Sequence, residues 1–111
     1  KVYGKWLLEK ITYPGGEAVP VDTGGYNFQT TLFMYQIYEP ARGGYRNSYG
    51  LVDFEGDNRI TIELQNNPQM VEAFLPYTDW TSGTRTFTVA RLKGKDLVLE
   101  GDGKEYIFRK F

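Results

Sequence analysis

The last third of the chain leaves few folds open. Residues 85 to 92, 96 to 100 and 104 to 111 are rich in Thr, Val, Leu, Ile, Tyr and Phe, and only Lys93-Gly94-Lys95 and Gly101-Asp102-Gly103 separate them. Gaps that short, each holding glycine, permit tight reversals and nothing longer, so the three runs must be neighbouring antiparallel strands. Within this meander, the period of two puts Leu97 and Leu99 on one face, as it does Tyr106 and Phe108. Ile107, Arg109 and Phe111 fall on the opposite face of the last strand.

The same patterning runs back through the chain. Residues 4 to 13 read as a first strand stopped by Pro14-Gly15-Gly16, and a long irregular connection is expected from there to Gly24-Gly25. Residues 28 to 39 carry no charge before Glu39 and read as a second strand, apolar on much of both faces. The stretch from Tyr38 to Tyr49, with Arg42, Gly43, Gly44, Tyr45 and Arg46, has the composition of a mobile loop. Residues 48 to 55 and 58 to 65 form a hairpin around Gly56-Asp57-Asn58, in which Ile60, Ile62 and Leu64 alternate with Thr61 and Glu63. Asn67-Pro68 supplies a helix cap and a first-position proline, which predicts a short helix over 68 to 75. One or two further strands are expected from 17 to 28 and 70 to 84.

At 111 residues, with no repeat or linker, the chain has room for one core, so residues 1–111 are read as a single domain. Nine Tyr, seven Phe and two Trp suit a half-buried pleated surface, and the fold class is all-β. So many strands with so little helix have no second layer to rest on unless the sheet closes on itself. The expected architecture is therefore a small antiparallel up-and-down barrel with at most a short helix. At about eight strands, such a barrel is just wide enough for side chains or for one small ligand.

Much chemistry is excluded by residue type. There is no His and no Cys, and the only serines are Ser48 and Ser82, so imidazole- or thiolate-based catalysis and metal binding are closed to the chain. Asp53, Glu55 and Asp57 alternate near a turn, but without the remaining ligands of a calcium loop they read as the charged end of a hairpin. Gly101-Asp102-Gly103-Lys104 is too short for a phosphate cradle and reads as a turn. A net charge of −1 offers no field to attract a nucleic acid. No apolar run approaches the ~20 residues that span a bilayer. No catalytic residue, metal or cofactor is expected. The chain begins at Lys1 rather than Met, and the expectation is a trimmed or mature chain from which a leader or lipid-anchoring cysteine has been removed.

Three stretches resemble a known family. Gly4-Lys5-Trp6 resembles the Gly-x-Trp signature of lipocalins, and Leu97-Val98-Leu99-Glu100 with Tyr106-Ile107-Phe108-Arg109 resembles the last hairpin of lipocalin-like domains. Gly50 to Asp57 is similar to stretches abundant in lipocalin-like lipoproteins of Bacteroides-type bacteria, which are proteins of unknown function. The resemblance implies a barrel with Trp6 at its closed end, Arg109 across the Trp6 ring, and a periplasmic or outer-membrane-anchored location.

What remains for function is the aromatic excess. Phe33, Tyr35, Phe87, Tyr106 and Phe108 are the candidate lining of an apolar pocket that would carry a small apolar or amphipathic ligand without catalysis. The competing reading is a structural or protein-interaction domain in which the same rings simply fill the core. Which face of the second strand points inward stays open, since both faces are apolar.

Overall fold

The computed structural model describes residues 2–111. Eight strands, β1 (Gly4–Thr12), β2 (Ala18–Phe28), β3 (Leu32–Glu39), β4 (Gly44–Glu55), β5 (Arg59–Leu64), β6 (Thr84–Lys93), β7 (Asp96–Gly101) and β8 (Lys104–Lys110), form a closed barrel in sequence order. Each pairs antiparallel with the next, and β8 pairs back onto β1 with Trp6 opposite Lys110 and Leu8 opposite Phe108. The β7–β8 reversal is a two-residue turn with positive φ at both Asp102 (53°) and Gly103 (74°), the geometry that the twist of a hairpin favours.

β2 bears out the further strand expected over 17 to 28 rather than the long irregular connection up to Gly24-Gly25. Its first half, Ala18–Asp22, is exposed or half-exposed, so no alternation marks it, and Pro20 argues against a strand. Here β2 pairs with β1 alone, since β3 covers only Gly24 to Phe28, and a proline is tolerated along that free edge. The run read as one strand over 28 to 39 is split by a turn in which Gln29 N–H donates to the Leu32 carbonyl. Phe28 therefore ends β2 and Leu32 begins β3. On β3 the ambiguity resolves cleanly, with Phe33, Tyr35 and Ile37 inward. The expected loop between Tyr38 and Tyr49 shrinks to residues 40 to 43, because Tyr45 and Arg46 extend β4 opposite Tyr38 and Ile37. The strand expected from 70 to 84 does not form, and only Thr84, the first residue of β6, is in the sheet.

That segment forms α1 (Pro68–Phe74), a single 3-10 turn over Leu75–Tyr77, and a loop leading to β6. The Asn67 side chain accepts from Met70 N–H at 2.9 Å and so caps α1. Neighbouring Asn66 anchors the helix to the wall, its Oδ1 accepting from the buried Ser48 hydroxyl (2.9 Å) and from Tyr49 N–H (2.7 Å). Gly50 marks where β4 and β5 come closest. A Cβ there would lie 2.8 Å from Leu64 Cα and overlap the Glu63 carbonyl, so no larger residue fits without moving β5.

The two ends of the barrel are stoppered differently. Trp6 is buried at the end that carries the chain's first residues and the β2–β3, β4–β5 and β6–β7 turns. The cation over its ring is Lys110, at 4.7 Å, and not Arg109. The reason is parity: Tyr106 and Phe108 face inward, so Lys110 does too, while Arg109 faces solvent. The Lys110 amine also donates to the Tyr3 carbonyl and occupies the space that a side chain at Gly4 would need, and Gly4 itself has φ +94°. Trp6→Ala should lower stability by about 3 to 5 kcal/mol through the cavity it leaves. Chemical denaturation reads this directly, and a loss below about 1 kcal/mol would remove Trp6 from the core.

Candidate functional site

All five candidate rings face the barrel interior, and they are packed rather than spaced. Phe33, Tyr35, Phe87, Tyr106 and Phe108 are each at most 3% exposed. They gather around Tyr26, a fully buried residue that sequence reasoning passed over. Its ring lies 4.8 Å from Tyr35, 4.8 Å from Phe108, 5.4 Å from Phe33 and 6.1 Å from Phe87. Tyr106 joins through Phe87 at 5.3 Å. A depression of about 280 Å³ lies on the outer wall over Gly24 and Gly25, and none of the five rings lines it. The residues picked as a pocket wall thus stand together inside the barrel and fill it.

One ring in this cluster is not carried by a strand. Trp80 belongs to the loop between the 3-10 turn and β6, yet it is only 4% exposed, because it inserts into the end of the barrel opposite Trp6. It stacks on Phe33 at 6.3 Å with a 17° interplanar angle and packs against Tyr35 (5.5 Å) and Phe87 (6.2 Å). Its Nε1–H donates to the Tyr26 hydroxyl at 2.9 Å. Thr78 holds the loop in shape by donating to the Leu75 carbonyl and accepting from Trp80 N–H, both at 2.9 Å. Phe74 of α1 closes over Tyr35 at 5.1 Å.

Against these rings lies a charged cluster. Arg85, 4% exposed, sits at an inward position of β6 between Thr84 and Thr86. Its guanidinium rests 4.8 Å from the Phe87 ring centre, 5.3 Å from that of Tyr106 and 5.6 Å from that of Trp80. Nη2 donates to the Tyr106 hydroxyl at 2.8 Å, and that hydroxyl donates in turn to Asp79 Oδ2. Lys104 donates to the same oxygen at 2.9 Å. Arg85 also stands 3.7 Å from Asp79 and 3.5 Å from the largely exposed Asp102. Gly101 makes the room: a Cβ there would lie 2.9 Å from the Phe87 ring and 3.2 Å from Arg85 Nη2. The cluster is incompletely satisfied, for Asp79 Oδ1 and Arg85 Nη1 are buried without a hydrogen-bond partner among the described residues.

Sequence reasoning missed Asp79, Trp80, Arg85 and Lys104. For Arg85 a signal existed, since Thr84, Thr86 and Thr88 alternate with Arg85, Phe87 and Val89 and so put the arginine on the phenylalanine face. For Trp80 no periodicity applies within a loop.

Burial shifts the phenols. It pushes Tyr26 and Tyr35 well above the ordinary value of 10.0, with the Asp79 charge acting in the same direction. Burial, reinforced by the hydrogen bond to Asp79, raises Tyr106 as well. Burial presses the Arg85 and Lys104 cations towards losing their protons. Tyr106 for Arg85 and Asp79 for Lys104 oppose this, and the balance leaves both above their usual values.

Eight antiparallel strands in simple order, sealed at one end by the strand-borne Trp6 and at the other by the loop-borne Trp80, define a closed up-and-down barrel of lipocalin-like type. The chain belongs to the lipocalin-like domain family, whose profile matches residues 1–111. It is similar to a lipocalin-like protein from Bacteroides uniformis, with 34% identity and a TM-score of 0.86 over 99% of this chain and 98% of that one. It is also similar to an uncharacterised protein from Bacteroides eggerthii, with 31% identity and a TM-score of 0.81 over the full length of both. No curated protein matches the chain significantly.

The raised phenols have a consequence at alkaline pH. In the unfolded chain they ionise near 10.0, whereas the fold keeps them protonated to higher pH. Between those values the unfolded state sheds protons first, so the stability they contribute is complete below pH 10.0 and falls as pH rises above it. Denaturation midpoints measured from pH 8 to 12 should fall on the alkaline side, and Tyr35→Phe should flatten the fall. A midpoint that is level through this range would contradict the assignment.

Proposed function

We propose that this barrel is a binding module for a small apolar or amphipathic ligand, and that the Trp80 end of the interior is the site. The observation that carries this reading is the buried, half-satisfied Arg85–Asp79 pair among aromatic rings. A core that only had to be solid gains little from such a pair, since isosteric apolar residues at buried ion-pair positions are often neutral or stabilising by about 1 to 4 kcal/mol. Ligand sites, by contrast, are apolar enclosures with a few converging polar groups. Arg85 and the hydroxyls of Tyr26, Tyr35 and Tyr106 are such groups, and Phe33, Phe87 and Phe108 supply the apolar wall. The arrangement holds and orients a molecule. An envelope location belongs to this reading and rests on the resemblance to Bacteroides-type lipoproteins. Among the described residues, no helix is long and apolar enough to cross a membrane.

A second reading is favoured by the outside of the barrel. Across β3 and β4, Leu32 faces Leu51, Met34 faces Tyr49 and Tyr38 faces Tyr45. Leu32, Tyr49 and Tyr45 are each more than half exposed. An apolar ladder on an outer wall suits a protein contact, with the interior as filler.

Thermal-shift measurement across a panel of small apolar acids and their neutral analogues separates the two. The binding reading expects a concentration-dependent rise in Tm for at least one compound, lost in Arg85→Met. If no compound shifts Tm, and Asp79→Leu/Arg85→Met is clearly less stable than the parent, the cluster is structural and the outer-wall reading takes its place.

A further inference from the structure

We infer that the Asp79–Trp80 dipeptide occupies the ligand site as the chain's own substitute for the ligand, and that the ligand which displaces it is an aromatic carboxylate. The inference rests on the binding reading above and adds its ligand class and its gate.

Three observations lead to it. The first is provenance. Every other ring packed against Tyr26 is carried by a strand and cannot leave without opening the sheet, whereas Trp80 is carried by a loop anchored through Thr78 and the Gly83 carbonyl, which accepts from Leu64 N–H. Withdrawing that loop breaks no strand pairing. It empties a space bounded by Phe33, Tyr35, Phe87 and the Tyr26 hydroxyl, which is the shape of an indole ring with a hydrogen-bond acceptor at one edge.

The second is the neighbouring carboxylate. Asp79 moves with Trp80, and its Oδ2 is the acceptor shared by Tyr106 and Lys104, with Arg85 at 3.7 Å. One guanidinium thus stands against both the plugging ring and the plugging carboxylate. A planar ring and an acid one short linker apart satisfy the same groups.

The third is charge. If the loop withdraws, Arg85 and Lys104 remain with only the solvent-exposed Asp102 near Arg85. A buried cation left without its partner is strongly unfavourable, so a neutral occupant cannot hold the open state, whereas an anion restores the pairing. Arg85 Nη1 stands 3.7 Å from Asp79 Oδ2, too far for a hydrogen bond, and an anion seated closer would give it the acceptor it lacks.

The test uses the full chain, with indole-3-propionate as the probe and indole-3-propionamide as its neutral analogue. The two tryptophan indole N–H resonances are followed by NMR and assigned with Trp80→Phe. The acid should move the Trp80 resonance away from its hydrogen-bonded position and leave that of Trp6 in place. It should bind at least about tenfold more tightly than the amide, the scale of a charge-assisted hydrogen bond. Trp80→Ala removes the competing occupant and should bind the acid at least about tenfold more tightly than the parent chain. The resonance shift in the parent chain stands as a test even if that variant does not fold. Equal affinity for acid and amide, or binding that leaves the Trp80 resonance unmoved, overturns the inference. Laurate moving the Trp80 resonance while both indole compounds fail to bind overturns the ligand class and leaves the binding module standing. No binding of any of the three, to parent or variant, overturns both.

Discussion

The pairing of β8 with β1 sets the terms for everything inside. Once Trp6 meets Lys110 and Leu8 meets Phe108 across that seam, the sheet has no free end and the interior is fixed at the width of eight strands. An interior of that width holds one layer of large side chains or a small ligand, but not both. Tyr26 at the centre, ringed by Tyr35, Phe33, Phe87 and Phe108, takes up most of it. Any capacity for a guest must therefore come from a side chain that can leave. The strand-borne rings cannot, and the loop-borne Trp80 can.

The two tryptophans illustrate this division. Trp6 lies on β1 under the Lys110 amine, in register with a neighbouring strand, and is part of the barrel's construction. Trp80 is held by one indole hydrogen bond, by ring contacts, and by the salt links of the adjacent Asp79. The end it closes is also where charge is buried. The backbone of the sheet meets its hydrogen bonds by strand pairing, and at the other end the buried Trp6 indole N–H has no partner among the described residues. The cluster of Arg85, Asp79, Tyr106 and Lys104 instead uses side-chain partners and leaves one atom on each of Arg85 and Asp79 unmet.

Much of the barrel was legible in the sequence because period-two alternation and glycine turns act locally. The β7–β8 hairpin follows from Asp102-Gly103, and the inward set of Leu97, Leu99, Tyr106 and Phe108 follows from parity. Parity was also the correction at the closed end, where a one-residue step exchanges Arg109 for Lys110. What stayed hidden depended on tertiary pairing. The first half of β2 is a strand only because β1 lies beside it, and the 38 to 49 segment is ordered by cross-strand pairs rather than by its own composition. The candidate rings were found because aromatic residues on alternating strands announce themselves. The polar half of the site was missed because Asp79 and Trp80 lie in a loop, and because the alternation of Arg85 with its threonine neighbours, which puts it inside, was not applied to a charged residue.

The central claim is that Trp80 is the removable part of an otherwise permanent core. Native-state hydrogen exchange tests it most directly, through the Trp80 indole N–H that bonds to Tyr26 and the backbone amides of β7 and β8. If the loop opens by itself, the indole proton exchanges through a local fluctuation whose free energy lies well below that of global unfolding and barely responds to denaturant. If instead the Trp80 proton exchanges only with the slowest strand amides, at the same free energy and with the same denaturant dependence, Trp80 is core like the rest and the gated barrel is contradicted.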